Sequence, residues 1–349
     1  MNAPATVEAR TDQGGRSETW TIGRLLAWTS DYFGRHQVVD ARLASEVLLA
    51  HAAQCRRIDL YTRFDSMLEP QCVECFRGWV RRASAHEPIA YLVGQKEFFS
   101  LSFKVTPDVL IPRAETETLV ECVLDHCRKA ERTHPRLLDL GTGSGCLAIA
   151  ALVHLPEATG LATDISTAAL EIARLNAVQH GVADRLTLVE ADRLALPKGA
   201  VPKDGFDVLM CNPPYIPASA MDKLDAAVRD YEPLPALTDG GDGVSFYRTI
   251  AVDGAKLLAT DGMIFVEIGD GATQAVVEAM TADGSLEHRQ TRKDRVVGQE
   301  RVLAFSMKHA CGGTKSRCAG SPRGRSNDSM VPKVRNTARA KARGSEQGG

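Results

Sequence analysis

The sequence predicts an α/β protein, a parallel sheet with helices on both faces, preceded by a small helical bundle and closed by an antiparallel hairpin. Three observations carry this. From Arg136 onward, short apolar runs alternate with helical stretches, the pattern of parallel strands joined by crossover helices. Residues 18–88 carry apolar stripes at helical spacing. The last two apolar runs, 287–291 and 300–305, have only Lys293 to Gln299 between them. That is too short for a crossover helix, so these two strands are expected to pair antiparallel.

Taken in order, residues 1–17 are polar and Gly/Thr-rich and are expected to be disordered. In 18–88, Leu25, Leu26, Tyr32 and Phe33 fit one stripe and Leu43, Val47, Leu48 and Ala50 a second, with Asp40 as a cap for the second helix. Trp79 and Val80 belong to a further helix, and Pro88 is expected to end the helical region. Residues 89–107 read as a β-hairpin linker, with strands Tyr91–Phe99 and Leu101–Val105 and Gly94-Gln95 as the turn signal. Thr116–Lys129 is helical. The main domain, 108–306, continues with strands at 137–140, 159–163, 186–189, 206–210 and 263–268, and with helices at 146–154, 166–180, 244–259 and 273–281. Residues 307–349 hold too little apolar surface to form a core and are expected to be a disordered basic tail.

Composition narrows the function class. The 349 residues are 44% hydrophobic and 25% charged, a globular balance that excludes a wholly disordered or collagenous chain. The longest apolar stretch, Cys146–Val153, is far short of the roughly 18 residues of a membrane helix, so no membrane association is expected. No signal peptide is visible, and Glu8, Asp12 and Glu18 argue against a transit peptide. Nine cysteines, an odd number scattered along the chain, indicate free thiols in a reducing cytoplasm. The net charge of −2 hides an asymmetry: residues 307–349 hold ten Lys/Arg against two acids, while the remainder holds 32 against 42. An acidic body of this kind is not expected to bind nucleic acid, except through the tail. Cys72-Val-Glu-Cys75 has metal-like spacing but no second pair near it, and His126, His134, His154 and His180 show no ligand spacing. The histidines are expected at the surface or at helix ends, and no metal is expected.

Two segments carry chemistry. Asp139-Leu-Gly-Thr-Gly-Ser-Gly145 follows a strand and opens a helix. Gly141, Gly143 and Gly145 let the backbone turn sharply and approach a ligand at the carboxyl edge of the sheet. Asp164 ends the next strand, where a carboxylate can accept from both ribose hydroxyls. This loop suits a dinucleotide as well as S-adenosylmethionine. Its G-x-G-x-G spacing tilts away from a pyrophosphate ligand.

The second segment is Asn212-Pro-Pro-Tyr215, directly after the strand that ends at Cys211. Pro213 and Pro214 fix two φ angles and supply no N–H donors, so the carbonyls of this stretch are expected to face the cleft. Asn212 adds a side-chain acceptor, and Tyr215 a ring face on which a flat group can stack. Two acceptors placed together suit a planar NH2 group. They hold its nitrogen and favour positive charge developing on it, as methylation of an amide or an exocyclic amine requires. Cys211 is expected to be a small buried apolar group rather than a nucleophile.

The ordered segments Glu87-Pro-Ile-Ala-Tyr-Leu-Val-Gly94, Glu97-Phe-Phe99, Leu110-Ile-Pro-Arg-Ala-Glu-Thr-Glu117, Leu138-Asp-Leu-Gly-Thr-Gly-Ser-Gly145, Asn212-Pro-Pro-Tyr215, Tyr231-Glu-Pro233, Glu267-Ile-Gly269 and Arg301-Val302 span roughly residues 20–306. Together they resemble the HemK/PrmC family, the protein-(glutamine-N5) methyltransferases of peptide chain release factors. The resemblance implies a class I S-adenosylmethionine-dependent methyltransferase: a Rossmann-like seven-stranded sheet in the order 3-2-1-4-5-7-6, its last strand antiparallel, behind a helical bundle that docks the protein substrate and a hairpin linker. It implies that Gly141, Thr142, Gly143, Ser144 and Gly145 hold the methionine part of the cofactor and Asp164 its ribose. Asp192 and Arg193 would lie by the adenine, where family members often have an aromatic in place of Arg193. Asn212 would border the cofactor, and Asn212, Pro213, Pro214 and Tyr215 would hold the substrate glutamine. Arg113 and Glu117 fall in a motif that closes over the cleft. Two other targets use the same loop chemistry, a glutamine of a large-subunit ribosomal protein and adenine N6 of a nucleic acid. Ile111-Pro-Arg-Ala-Glu-Thr-Glu117 resembles the release-factor enzymes more closely, and no target-recognition domain for nucleic acid is recognisable.

Overall fold

The structure, a computed structural model, describes residues 20–308; the N-terminal segment and residues 309–349 of the basic tail lie outside the described residues. Four helices open the chain: α1 (Ile22–Arg35), α2 (Ala41–Ala52), α3 (Arg57–Thr62) and α4 (Pro70–Ser84). They share a core that includes Leu25, Phe33, Leu48, Leu49, Phe76 and Val80. The stripe expected on α2 is shifted. Ala44, Leu48 and Leu49 face the core, whereas Leu43 is 41% exposed. Asp40 occupies the cap position of α2 in a left-handed conformation (φ 50°), but its side chain makes no capping bond. Only its carbonyl accepts, from the Ala44 N–H at 2.9 Å.

The expected boundary at Pro88 is corrected. Pro88 is the N-cap of a further helix, α5 (Ile89–Val93), because proline suits a helix start as well as a stop. Leu92 of α5 is buried in the bundle core, so the bundle extends past residue 88. The expected hairpin turn is corrected too. Gly94 (φ 72°) terminates α5, and the hairpin is the shorter pair β1 (Gln95–Phe98) and β2 (Leu101–Lys104). Its turn is Phe99-Ser100, at φ 52° and 60°. Two successive positive φ angles match the twist of a two-residue hairpin but are strained without glycine. A carboxylate offsets that strain: the Phe99 N–H donates to Glu117 Oε1 at 2.8 Å, from the first turn of α6 (Glu117–Lys129).

The main domain alternates as expected. β3 (Arg136–Leu140), α7 (Cys146–His154), β4 (Thr159–Asp164), α8 (Thr167–Gln179), β5 (Leu186–Glu190) and β6 (Phe206–Cys211) follow α6. After β6 come two short helices, α9 (Ala226–Arg229) and α10 (Leu234–Leu237), then α11 (Ser245–Thr249). The single helix expected over 244–259 is corrected. α11 passes into a π turn over Ile250–Gly254 and a 3₁₀ turn over Ala255–Leu257. Gly254 lies close over β6, where a Cβ would stand 3.1 Å from a Leu209 methyl. The chain closes with β7 (Leu258–Glu267), α12 (Thr273–Thr281), β8 (Leu286–Lys293) and β9 (Glu300–Met307).

The seven strands lie in the order β5-β4-β3-β6-β7-β9-β8, which is 3-2-1-4-5-7-6 counted within the sheet. β9 pairs antiparallel with both β7 and β8 and so runs against the other strands. Both faces are covered, as a parallel sheet requires. Leu137 of β3 faces a core shared with α6, α7 and the hairpin, while Leu138 faces one shared with Tyr247 and Ile250. The bundle and the sheet domain are tied together. Tyr91 of α5 packs with Val109, Ile111 and Ile172, and its hydroxyl donates to the Val109 carbonyl at 2.7 Å.

At the start of β6, Asp207 is buried. Burial alone would raise its pKa, but hydrogen bonds from Arg136 and the charges of Arg136 and Arg132 hold it below the usual carboxylate range. Arg132 Nη1 reaches Oδ1 at 2.6 Å, and the Arg136 backbone N–H reaches Oδ2 at 2.8 Å. The cluster pins the loop before β3 to the edge of β6. Asp207→Ala leaves two partly screened guanidinium groups without their acceptor, and a loss of about 2 kcal/mol is expected in urea unfolding. An unchanged midpoint would show that the clamp is energetically idle.

Candidate active site

β3 has β4 on one side and β6 on the other, and the chain leaves these strands toward opposite edges of the sheet. Ligands of α/β sheets bind outside the carboxyl ends of the strands at such a reversal. Here Leu140 of β3 is in register with Cys211 of β6, so the glycine turn and the Asn-Pro-Pro-Tyr turn emerge side by side. The Cys211 thiol is buried, and it donates to the Leu140 carbonyl at 3.2 Å. Burial pushes its pKa well up, so it is a neutral packing group, as expected.

The glycine turn is braced from beneath. Asp139 is fully buried, and its Oδ2 accepts from Thr142 Oγ1 at 2.7 Å and from the Ala148 N–H at 3.2 Å. The Thr142 N–H donates to the Thr163 carbonyl at 2.8 Å. At Gly145 (φ 82°) a Cβ would stand 2.7 Å from an Ile149 methyl and 3.2 Å from the Ala173 Cβ, and a side chain at that positive φ is strained whatever the space. Gly143 (φ 55°) has open space beside it, and its N–H donates to Asp164 Oδ2 at 2.9 Å. The other oxygen of Asp164 accepts from the Ser166 N–H at 2.9 Å. Each Asp164 oxygen keeps a further lone pair for a hydroxyl donor. Beyond β5, the Ala191 N–H donates to the Asp164 carbonyl at 3.0 Å, which brings Asp192 next to Asp164. Arg193 has φ 53°. Its guanidinium lies 5.3 Å from the ring centre of Phe246, and its Nη1 donates to Thr249 Oγ1 at 3.1 Å. The Phe246 ring of α11 therefore stands against the side chain at position 193.

On the other side of the cleft, Asn212 Nδ2 donates to Thr116 Oγ1 at 3.3 Å. Pro213 is buried, and Pro214 and Tyr215 are half-buried. Tyr215 is held by both backbone and ring. It bridges to Thr238, and a Cβ on Gly243 (φ 78°) would stand 2.3 Å from its carbonyl oxygen. Its ring packs on Gly269, and its hydroxyl donates to Glu267 Oε1 at 3.5 Å. Glu267 is buried at the end of β7. Burial pushes its carboxyl up to about 7, against the opposing effects of the Thr116 hydroxyl and the Arg301 charge. Arg301 donates to the Ile268 carbonyl at 3.0 Å and to Asp270 Oδ1 at 2.6 Å.

Arg113 and Glu117 sit at braces. Arg113 Nη2 donates to Glu232 Oε1 at 2.5 Å, and Glu232 Oε2 accepts from the Ile111 N–H at 3.2 Å. Glu117 serves the hairpin turn. Four further residues of the site escaped sequence reasoning. Asp139 and Glu267 were visible only inside motifs, Phe246 reaches Arg193 from a distant helix, and Asn176 is a buried amide on α8. Asn176 Nδ2 donates to the carbonyls of Ser144 (2.8 Å) and Lys104 (3.0 Å), tying the hairpin to the glycine turn. No sequence spacing signals the last two contacts. His126 stands in the last turn of α6, as the helix-end expectation has it, half-buried there with its ring 5.7 Å from that of Phe265. Among the described residues no helix is long and apolar enough to cross a membrane.

The residues fit a cationic amino acid joined to a nucleoside. Asp139 Oδ1 is buried with no partner beneath the glycine turn, an acceptor suited to a positive group. Asp164 offers acceptors suited to a ribose. Burial pushes the Asp139 carboxyl up to about 7, as it does Glu267. A carboxyl raised by folding binds its proton more tightly in the folded state. Its contribution to stability is therefore fully present below the unfolded pKa near 4 and is lost as pH rises toward about 7. Asp139→Asn should remove its share. Between about pH 5 and about pH 8, the variant is expected to lose less stability than the wild type by on the order of 1–2 kcal/mol in urea unfolding. An equal or steeper loss would contradict the assignment.

Comparison with known proteins gives the same frame. A family profile described as the PrmC N-terminal domain matches residues 24–94, and one described as the methyltransferase small domain matches residues 114–229. A release factor glutamine methyltransferase of Rhodopirellula baltica is 40% identical over 291 residues, covering 82% of this chain and 96% of the relative. One from Geobacter sulfurreducens is 39% identical over 287 residues, covering 81% and 98%. Among solved structures, the catalytic domain of hMettl16 in complex with MAT2A 3′UTR hairpin 1 is 20% identical, with a TM-score of 0.48 over 64% of this chain and 80% of that one. A cleft of glycine turn and Asn-Pro-Pro-Tyr turn on a 3-2-1-4-5-7-6 sheet, with relatives matched nearly end to end, places the chain in the release factor glutamine methyltransferase family.

Proposed function

We propose that this protein transfers the methyl group of S-adenosylmethionine to the side-chain amide nitrogen (N5) of the glutamine in the Gly-Gly-Gln motif of peptide chain release factors, supporting translation termination in the cytoplasm. The observation that carries the reading is the register of Leu140 with Cys211, which sets the cofactor turn beside the amide-binding turn. Residues 141–145 would hold the methionine part of the cofactor, with Asp139 beneath its ammonium group. Asp164 would hold the ribose, and Asp192, Arg193 and Phe246 would border the adenine. When bound, the cofactor supplies a methyl group on an already activated sulfonium, so this chain needs no nucleophile of its own.

The work left to the protein is on the amide. An amide nitrogen is a poor nucleophile because its lone pair is delocalised into the carbonyl. Asn212 Oδ1 and the Pro213 carbonyl accept its two N–H groups, which orients the nitrogen and favours positive charge on it. The Tyr215 ring lines the amide plane, and the buried Pro213 keeps the loop from rearranging. Fixing the nitrogen in line supplies most of the acceleration. The proton, acidic once the nitrogen is alkylated, leaves to water.

The release factor is the protein substrate favoured by the names of the relatives and by the bundle they share. The test is methyl transfer from labelled S-adenosylmethionine to a purified release factor, to the same factor with its Gly-Gly-Gln glutamine replaced, and to duplex DNA. Label on the first alone, mapped to that glutamine by mass spectrometry, is the expected result. Label on DNA instead would overturn the reading. In the same assay Asn212→Ala should lower kcat by about 100-fold or more while cofactor affinity stays within about twofold. Asp164→Ala should chiefly weaken cofactor binding, by about tenfold or more, read by calorimetry.

A further inference from the structure

Thr116 stands where a threonine ordinarily caps a helix, at the N-cap of α6, yet its side chain makes no capping bond. A threonine at that position normally accepts from a backbone N–H of the first turn, which stabilises the helix by about 1 kcal/mol. Here the side chain is 2% exposed and its oxygen accepts from Asn212 Nδ2 at 3.3 Å. The same hydroxyl faces the Glu267 carboxylate, whose Oε1 is also approached by the Tyr215 hydroxyl and whose Oε2 has no partner. A hydroxyl has one proton to give. Above about pH 7 the Glu267 carboxyl is ionised and can only accept, so that proton goes to Glu267, and the Thr116 oxygen is left as an acceptor. An acceptor on that side obliges Asn212 to turn its NH2 toward Thr116. Its Oδ1 must then face the other way.

We propose that Thr116, held by Glu267, is a positioning residue that sets the orientation of the Asn212 carboxamide and thereby makes the site select an amide over a carboxylate. The inference rests on the reading of the site given above. An Asn rotated by half a turn would present NH2 instead of oxygen. It would repel the N–H of a glutamine and welcome the oxygen of a glutamate, whereas a buried acceptor rejects a group that cannot donate. The Thr116–Glu267 contact therefore protects the enzyme from being occupied by the deamidated form of its own target.

The test compares the wild type, Thr116→Val, which replaces the hydroxyl by a methyl of similar size, and Thr116→Ser, which keeps the hydroxyl. Three readouts are taken: kcat and KM on a release factor, calorimetric affinity for S-adenosylmethionine, and inhibition by the same factor carrying glutamate at the target position. Thr116→Val is expected to lower kcat by about 10- to 100-fold with cofactor affinity unchanged. It should also narrow the preference for the glutamine form over the glutamate form by about fivefold or more. Thr116→Ser should restore both to within about threefold. A Val variant that keeps the wild-type preference, or that weakens both forms equally, would overturn the proposal. Should the Val variant fail to fold by circular dichroism, Glu267→Gln tests the same network. Its amide can donate to Thr116 and free the hydroxyl proton for Asn212 Oδ1, so the preference should narrow likewise, and an unchanged preference again overturns the proposal. A wild type that binds S-adenosylmethionine but methylates no release factor would overturn the functional reading, and this inference with it.

Discussion

The site depends on one pairing, that of β3 with β6. These strands are the first and fourth of the sheet in chain order, separated by two crossover helices, yet they lie side by side with Leu140 opposite Cys211. Each strand ends in a turn that cannot continue the ladder, one because of its glycines and the other because of its prolines. The turns therefore open at the same height on the same edge. A register slip of one residue would invert the faces of Leu138 and Leu209, both fully buried, so the hydrophobic core itself enforces the alignment of the two turns.

Around that pairing, buried carboxylates set both geometry and charge. Asp139 and Glu267 sit at the ends of β3 and β7, each with one oxygen engaged and the other without a partner. Each costs stability in the free protein, because a charged group without its counterpart is held out of water. They stand where a cationic ligand and a hydrogen-bonding substrate enter on the proposed reading. Asp207 and Glu232 play the opposite part. Their guanidinium partners are already present, Arg132 and Arg136 for the first and Arg113 for the second, and they lock loops rather than wait for ligands.

A series of polar ties joins the bundle, the hairpin, the glycine turn and the Asn-Pro-Pro-Tyr turn. The Tyr231 hydroxyl donates to the Ala85 carbonyl of the bundle at 2.9 Å, and Glu232 beside it holds Arg113. Glu117 holds the hairpin turn, and the next residue back, Thr116, holds Asn212. Asn176 links the hairpin to the glycine turn. Residues 110–117 therefore act as a strut between the bundle side of the molecule and the reacting side. On the proposed function, a protein substrate docked on the bundle would meet a site whose position relative to that surface is held by charged and hydrogen-bonded contacts.

By itself the sequence determined the class of fold, the antiparallel closing hairpin and the places of the glycine turn and the Asn-Pro-Pro-Tyr turn at the ends of their strands. These follow from periodicity, connection length, and glycine and proline conformational limits, all of which are local. The sequence was misleading where a local signal has two meanings. Pro88 starts a helix as readily as it ends one, and Gly94 caps α5 instead of turning the hairpin, whose real turn at Phe99-Ser100 carries no glycine and is held from outside by Glu117. The tertiary structure alone decided which side chains meet across long separations: Phe246 with Arg193, Asn176 with Ser144, and Thr116 with Asn212, 96 residues apart. Such contacts leave no periodicity in the chain. They arise when the crossover helices close the sheet, because only then do burial and the need to satisfy each polar group select a partner.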